Sequence, residues 1–60
     1  MKIFKVIIDV FHSKNDVETK TIQIEAGNKK LASLRALGEI SKQKEYMDLF
    51  KSVKSVEEVA

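Results

Sequence analysis

The first ten residues alternate between two sets of side chains, which is typical of an extended chain. One set is wholly apolar: Phe4, Val6, Ile8 and Val10. The other set places two charged side chains between three apolar ones: Ile3, Lys5, Ile7, Asp9 and Phe11. Period-two alternation predicts a β-strand over residues 2 to 11. Because both faces hold large apolar side chains, we expect this strand to lie in the centre of a sheet.

A polar cluster from His12 to Asp16 predicts the loop of a β-hairpin, since its residue types favour turns. A second strand is predicted from about Val17 to Ala26. Its inward positions are apolar: Ile22, Ile24 and Ala26. Its outward positions are polar residues that strands tolerate: Thr19, Thr21, Gln23 and Glu25. This strand is expected to have one buried face and one wet face.

A helix is predicted after Gly27, with Asn28 as its N-cap. Its apolar residues recur every third position, with two alanines beside them: Leu31, Ala32, Leu34, Ala36, Leu37 and Ile40. The broad apolar arc is expected to face the sheet. An opposite stripe is charged: Arg35, Glu39 and Lys42. Gly38 lies inside the helix, where it permits a kink or a close contact.

The C-terminal third gives two conflicting patterns. Apolar residues at helical spacing predict a second short helix or a bent continuation of the first: Tyr46, Leu49, Phe50 and Val53. Residues 52–59 fit either a strand beside the first strand or a helix starting at Ser55, and the strand is favoured because too few residues follow Ser55 to form a helix. The predicted fold is a single small α+β domain over residues 1–60. It has the order β-β-α-(α)-β, with two or three antiparallel strands and helix on one face.

Composition narrows the chemistry that this chain can perform. It has 60 residues, no cysteine and one histidine, which excludes a disulfide framework and a thiolate metal site. We expect no metal and no cofactor. Asp9 interrupts the apolar start and no apolar run reaches about 20 residues, so neither a signal peptide nor a membrane span is predicted and the expected location is cytoplasmic.

The residues of a catalytic triad occur together only near the first turn. His12, Ser13 and Asp16 lie within one short polar cluster, whereas a triad is assembled across a fold around a pocket. A solvated turn explains these residues better. We therefore expect the protein not to be an enzyme.

The basic residues are unevenly distributed, although the formal net charge is only +2. The segment from Gly27 to Lys44 holds five basic side chains against the single acid Glu39: Lys29, Lys30, Arg35, Lys42 and Lys44. If nucleic acid is bound, these side chains are expected at its phosphates. Nucleic-acid binding is therefore the second functional hypothesis.

The leading hypothesis comes from the second apolar face of the first strand. One helix cannot cover both faces of a sheet. Either the Tyr46 to Val53 segment covers the face that holds Ile3, Ile7 and Phe11, or that face contacts a second copy or another protein. We therefore predict a non-enzymatic protein-binding module, expected as a homodimer. We expect it to inhibit or regulate a larger protein, as accessory proteins of phages and mobile elements do. A self-associating structural protein is a third hypothesis.

Overall fold

A computed structural model describes all residues, Met1–Ala60. The elements follow in the order β1 (Lys2–Ser13), β2 (Asp16–Ala26), α1 (Lys29–Ser41), one 3-10 turn (Lys44–Tyr46) and β3 (Phe50–Glu58). The fold is thus a small α+β domain with the order β-β-α-β, as the sequence predicts.

The three strands form one antiparallel sheet in the order β2-β1-β3. The predicted central position of the first strand is confirmed, and the ambiguous C-terminal segment is a strand. Val6 lies opposite Ile22 on one side and opposite Val56 on the other. The register of β3 shifts between Ile7 and Ile8, where Lys54 is an extra residue, so that strand bends locally.

The hydrophobic core lies between the sheet and α1. It is formed by one face of β1 together with small and apolar residues of the covering elements: Phe4, Val6, Ile8, Val10, Ala26, Ala32, Ala36, Ile40 and Tyr46. All these side chains are almost completely buried. Because strand side chains alternate, burying one face of β1 leaves its odd-numbered residues on the other.

Helix α1 begins as predicted, because the side chain of Asn28 accepts a hydrogen bond of 2.9 Å from the amide of Leu31. The predicted buried arc is partly wrong: Leu31 and Leu34 are exposed. The helix instead packs through Ala32, Ala36 and Ile40, and only one side of a helix can meet a flat sheet. No helix of the structure has the length and apolar character needed to cross a membrane.

Two predictions about the connecting segments are wrong, the extent of the hairpin loop and the second helix. The hairpin loop is shorter than His12 to Asp16, since β1 continues through Ser13 and β2 begins at Asp16. A second helix does not form; a 3-10 turn ends at Tyr46 and β3 begins at Phe50. Tyr46 and Val53 reach the same core from a turn and a strand, so their helical spacing is incidental. Pairing with β1 supplies backbone hydrogen bonds that an isolated turn of helix lacks.

Candidate functional site

The face of the sheet opposite α1, here called the open face, is not covered by any other element of the chain. Register places residues of all three strands on it. The central strand contributes Ile3, Lys5, Ile7, Asp9 and Phe11. The flanking strands contribute Val17, Thr19, Thr21, Gln23 and Glu25 from β2, and Phe50, Ser52, Ser55 and Glu57 from β3.

An apolar row crosses the open face at the end nearest the hairpin turn. Phe11 lies between Val17 on β2 and Phe50 on β3. The rings of Phe11 and Phe50 are tilted, with centroids 5.5 Å apart, a favourable aromatic arrangement. Phe50 is nevertheless 71% exposed and Val17 46% exposed. This row therefore presents large apolar side chains to solvent.

The other two predicted partner-binding residues continue this surface along β1. Ile7 lies between Thr21 and Ser55, whose small side chains leave it half-buried. Ile3 lies opposite Glu25, and its backbone is hydrogen-bonded to Val59 and Ala60. The structure thus brings Ile3, Ile7 and Phe11 together on one uncovered face.

Two charged side chains separate the apolar residues of β1. Asp9 accepts a hydrogen bond of 2.9 Å from the hydroxyl of Thr19, which fixes its carboxylate on the open face. The ammonium of Lys5 lies 4.0 Å from the carboxylate of Glu57. Lys5 keeps 40% of its side chain exposed, and an exposed pair at this distance is weak. The Lys5 ammonium is therefore only weakly held, whereas the Asp9 carboxylate has a fixed position on the open face.

The alternative in which the Tyr46 to Val53 segment covers the open face is wrong. Tyr46, Leu49 and Val53 all pack against the core on the helix side. Sequence reasoning missed Val17 and Phe50 as members of the surface. Val17 could have been found, since it continues the outward alternation of β2. Phe50 could not, because its spacing from Tyr46 had assigned it to a helix.

A polar cluster lies around Glu18 on the helix side of the sheet, at the end of the core nearest the hairpin turn. The Glu18 carboxylate is 2.8 Å from Nε2 of His12, accepts the Tyr46 hydroxyl at 3.1 Å and lies 3.1 Å from the Lys20 ammonium. That ammonium also lies 4.8 Å from the centre of the Tyr46 ring, within the range of a cation–π contact. His12 is thus a strand residue with a partner, not part of a solvated turn as predicted.

These contacts shift two pKa values in opposite directions. The hydrogen bonds to His12 and Lys20 lower the pKa of Glu18 below its ordinary value. The contacts with Tyr46 and Glu18 raise the pKa of Lys20 above its ordinary value. Each shift favours the charged form, so the pair stays ionised near neutral pH. Because its groups satisfy one another, the cluster holds the 3-10 turn against the hairpin.

The five basic residues of the nucleic-acid hypothesis do not line one surface. Arg35 donates a 2.6 Å hydrogen bond to the carbonyl of Glu25, and Lys42 lies 3.2 Å from the carboxylate of Glu39. Lys30 and Arg35 point about 140° apart around the helix at 3.6 residues per turn. Lys29 lies in the first turn of α1 and Lys44 in the 3-10 turn.

Comparison with known proteins gives no family for this chain: no family model, curated protein or solved structure matches it.

Proposed function

We propose that this chain is a non-enzymatic protein-binding module and that the open face is its contact surface. In this role it either inhibits or regulates a different protein or joins identical chains. The observation that supports the proposal is the set of half-exposed apolar side chains along β1, extended at one end by Phe50 and Val17. An apolar patch rimmed by polar residues is characteristic of a protein-interaction site.

The arrangement also has the composition of an interface. The apolar residues of β1 alternate with Lys5 and Asp9 on the central strand, and Val17 and Phe50 widen the apolar part at the hairpin end. The other positions of the two flanking strands carry hydroxyl, amide and carboxylate groups. Interfaces commonly have an apolar centre and a polar rim. The exposed leucines of α1 lack this organisation, because Leu31 and Leu34 stand next to Lys30 and Arg35 on a charged helix surface.

The test compares Ile7→Lys with Leu34→Lys. Both substitutions add one lysine at an apolar surface position, but only Ile7 lies on the open face. Wild type and the two variants are immobilised, incubated with proteins of the native cell and washed, and each retained protein is then purified and titrated directly. We expect Leu34→Lys to bind as wild type does and Ile7→Lys to lose at least about tenfold in affinity, since a charge is placed at the centre of the contact.

Circular dichroism and thermal melting of both variants show that the fold is intact before binding is compared. Equal affinities for Ile7→Lys and wild type would contradict the proposal. Salt-sensitive binding of DNA or RNA would also contradict it, if that binding is lost in Arg35→Ala and Lys42→Ala but kept in Ile7→Lys. Such a result would assign binding to phosphate contacts on the helix.

A further inference from the structure

We infer that the partner of the open face is a second copy of this chain, packed face to face about a two-fold axis that crosses the strands at Ile7. This inference rests on the proposed function, because it uses the same surface. It adds the identity of the partner and the geometry of the contact. The order of side chains along the central strand is the observation that carries it.

Along the open face of β1 the side chains follow the order apolar, basic, apolar, acidic, apolar: Ile3, Lys5, Ile7, Asp9 and Phe11. A two-fold axis that lies between the two sheets and runs across the strands at Ile7 reverses this order in the second copy. Ile7 then faces Ile7, Lys5 faces Asp9 and Ile3 faces Phe11. Each apolar side chain meets an apolar one and each charge meets its opposite, as a self-complementary interface requires.

The charge order also excludes the other two-fold arrangement of the same faces. An axis parallel to the strands would place Lys5 over Lys5 and Asp9 over Asp9 of the second copy. Like charges brought together in an interface are unfavourable. The crossing axis is therefore the one that the charges of β1 select.

The flanking strands are compatible with this axis. On β2 it places Thr21 opposite Thr21, Thr19 opposite Gln23 and, at the edge of the contact, Val17 opposite Glu25; on β3 it places Ser52 opposite Glu57. None of these pairs opposes like charges. Packed sheets are rotated by about 30° relative to each other, so contacts close to the axis, including Lys5 with Asp9, stay within reach of their partners.

The size of the face agrees with a dimer of moderate affinity. The stretch from Ile3 to Phe11 and the three strands together span about 30 Å by 14 Å, or about 400 Å² in projection. Two such faces total about 800 Å² in projection and more once side-chain relief is counted, which places the contact at or below the small end of specific interfaces, roughly 1,200 Å². We therefore expect a dissociation constant in about the micromolar range.

The first experiment measures mass by light scattering, and dimer affinity by sedimentation, up to about 1 mM, far above a micromolar dissociation constant. Wild type is expected to dimerise, whereas Lys5→Glu alone and Asp9→Lys alone are each weakened at least about tenfold. An equimolar mixture of the two variants should regain dimers, because every facing pair is again opposite in charge. Lys44→Glu and Asp48→Lys make the same charge changes off the open face and should dimerise as wild type does.

The second experiment fixes the direction of the axis. The chain has no cysteine, so Asn15→Cys gives one spin-label site at the hairpin turn, away from the open face. With the crossing axis the two turns lie at opposite ends, and the labels should be about 50 Å apart at 3.3 Å per residue. A parallel axis would bring them to about 10–20 Å, near the spacing of packed sheets.

Four results would each overturn this inference. The wild type could stay monomeric at the highest concentration, or both single variants could dimerise as well as wild type. The mixture of variants could stay monomeric, or the label distance could be short. The proposed function fails separately. If the chain is monomeric but Ile7→Lys still abolishes binding of a different protein, only the second copy is wrong. If binding is also insensitive to Ile7→Lys, both are wrong.

Discussion

The two faces of the sheet are made by the same strands and differ in what covers them. On the helix side, Phe4, Val6, Ile8 and Val10 of β1 share one core with the alanines of α1 and are excluded from water. On the open face, the odd-numbered residues are half-buried by their neighbours on the sheet alone. The first face stabilises the chain, and the second holds apolar area that no other element of residues 1–60 buries. One strand thus stabilises the fold with one set of side chains, and we propose that it binds a partner with the other.

The largest expected change in the free energy of unfolding comes from substituting, one at a time, two neighbouring isoleucines that lie on opposite faces of β1. Ile8→Ala leaves a cavity in the core and is expected to lower the free energy of unfolding by about 2–5 kcal/mol. Ile7→Ala removes only partly buried area and should lower it by about 1 kcal/mol or less. Urea unfolding at concentrations that keep the chain monomeric measures both. Equal losses would show that the open face is as much a part of the core as the helix side.

Gly38→Ala, in helix α1, is expected to change the free energy of unfolding by a smaller amount and in the opposite direction. An added Cβ at Gly38 meets no atom within 4 Å, so the glycine is required neither for packing nor for a kink. Alanine should raise the free energy of unfolding by about 0.5–1 kcal/mol, because it loses less backbone entropy in a helix. The same urea titration measures it. A loss of stability would contradict this expectation and show that the helix needs the backbone freedom of glycine at this position.

The smallest change in stability is expected from Glu18→Gln, in the polar cluster on the helix side of the sheet. Glu18 has a lowered pKa in the folded state, so its contribution is present above its ordinary pKa and is lost as pH falls through the folded value. Wild type should exceed Glu18→Gln in urea midpoint at pH 7, and the gap should close below pH 4.5, the ordinary pKa of this carboxyl. Lys20 has a raised pKa in the folded state, so its contribution to stability is lost only as the pH rises above the ordinary pKa of lysine.

Glu45→Gln is the control for the pH series, because it removes an exposed carboxyl of the 3-10 turn without touching the cluster. Its urea midpoint should follow that of wild type at every pH. A gap between wild type and Glu18→Gln that persists in acid would show that the hydrogen bonds of Glu18 do not depend on its charge.

Much of the fold could be predicted because period-two alternation is a local property of β1 and β2. The helix start at Asn28 was predictable for the same reason, since capping involves only the first turn. The C-terminal third was harder, because residues from Tyr46 to Val53 have a helical spacing and the following tail fits either a strand or a helix. Only pairing with β1, whose residues lie 39 (Phe11 and Phe50) to 54 (Phe4 and Glu58) positions away in sequence, identifies the strand.

The candidate site divides in the same way. Alternation along β1 placed Ile3, Ile7 and Phe11 on one face without any structure. The contribution of Phe50 depends on the register of β3 against β1, and the partners of His12 depend on where the 3-10 turn brings Tyr46. Such contacts join segments distant in sequence, and local patterns do not encode them.

The sequence by itself determined the strands of the hairpin, the start of the helix and the chemical order along each face of β1, because these follow from backbone periodicity and nearest neighbours. The tertiary structure decided which of the two apolar faces α1 covers, which leucines of α1 stay exposed and that β3 completes the sheet. These outcomes depend on long-range packing, in which a helix presents one side to a sheet and each strand must find a partner for its backbone.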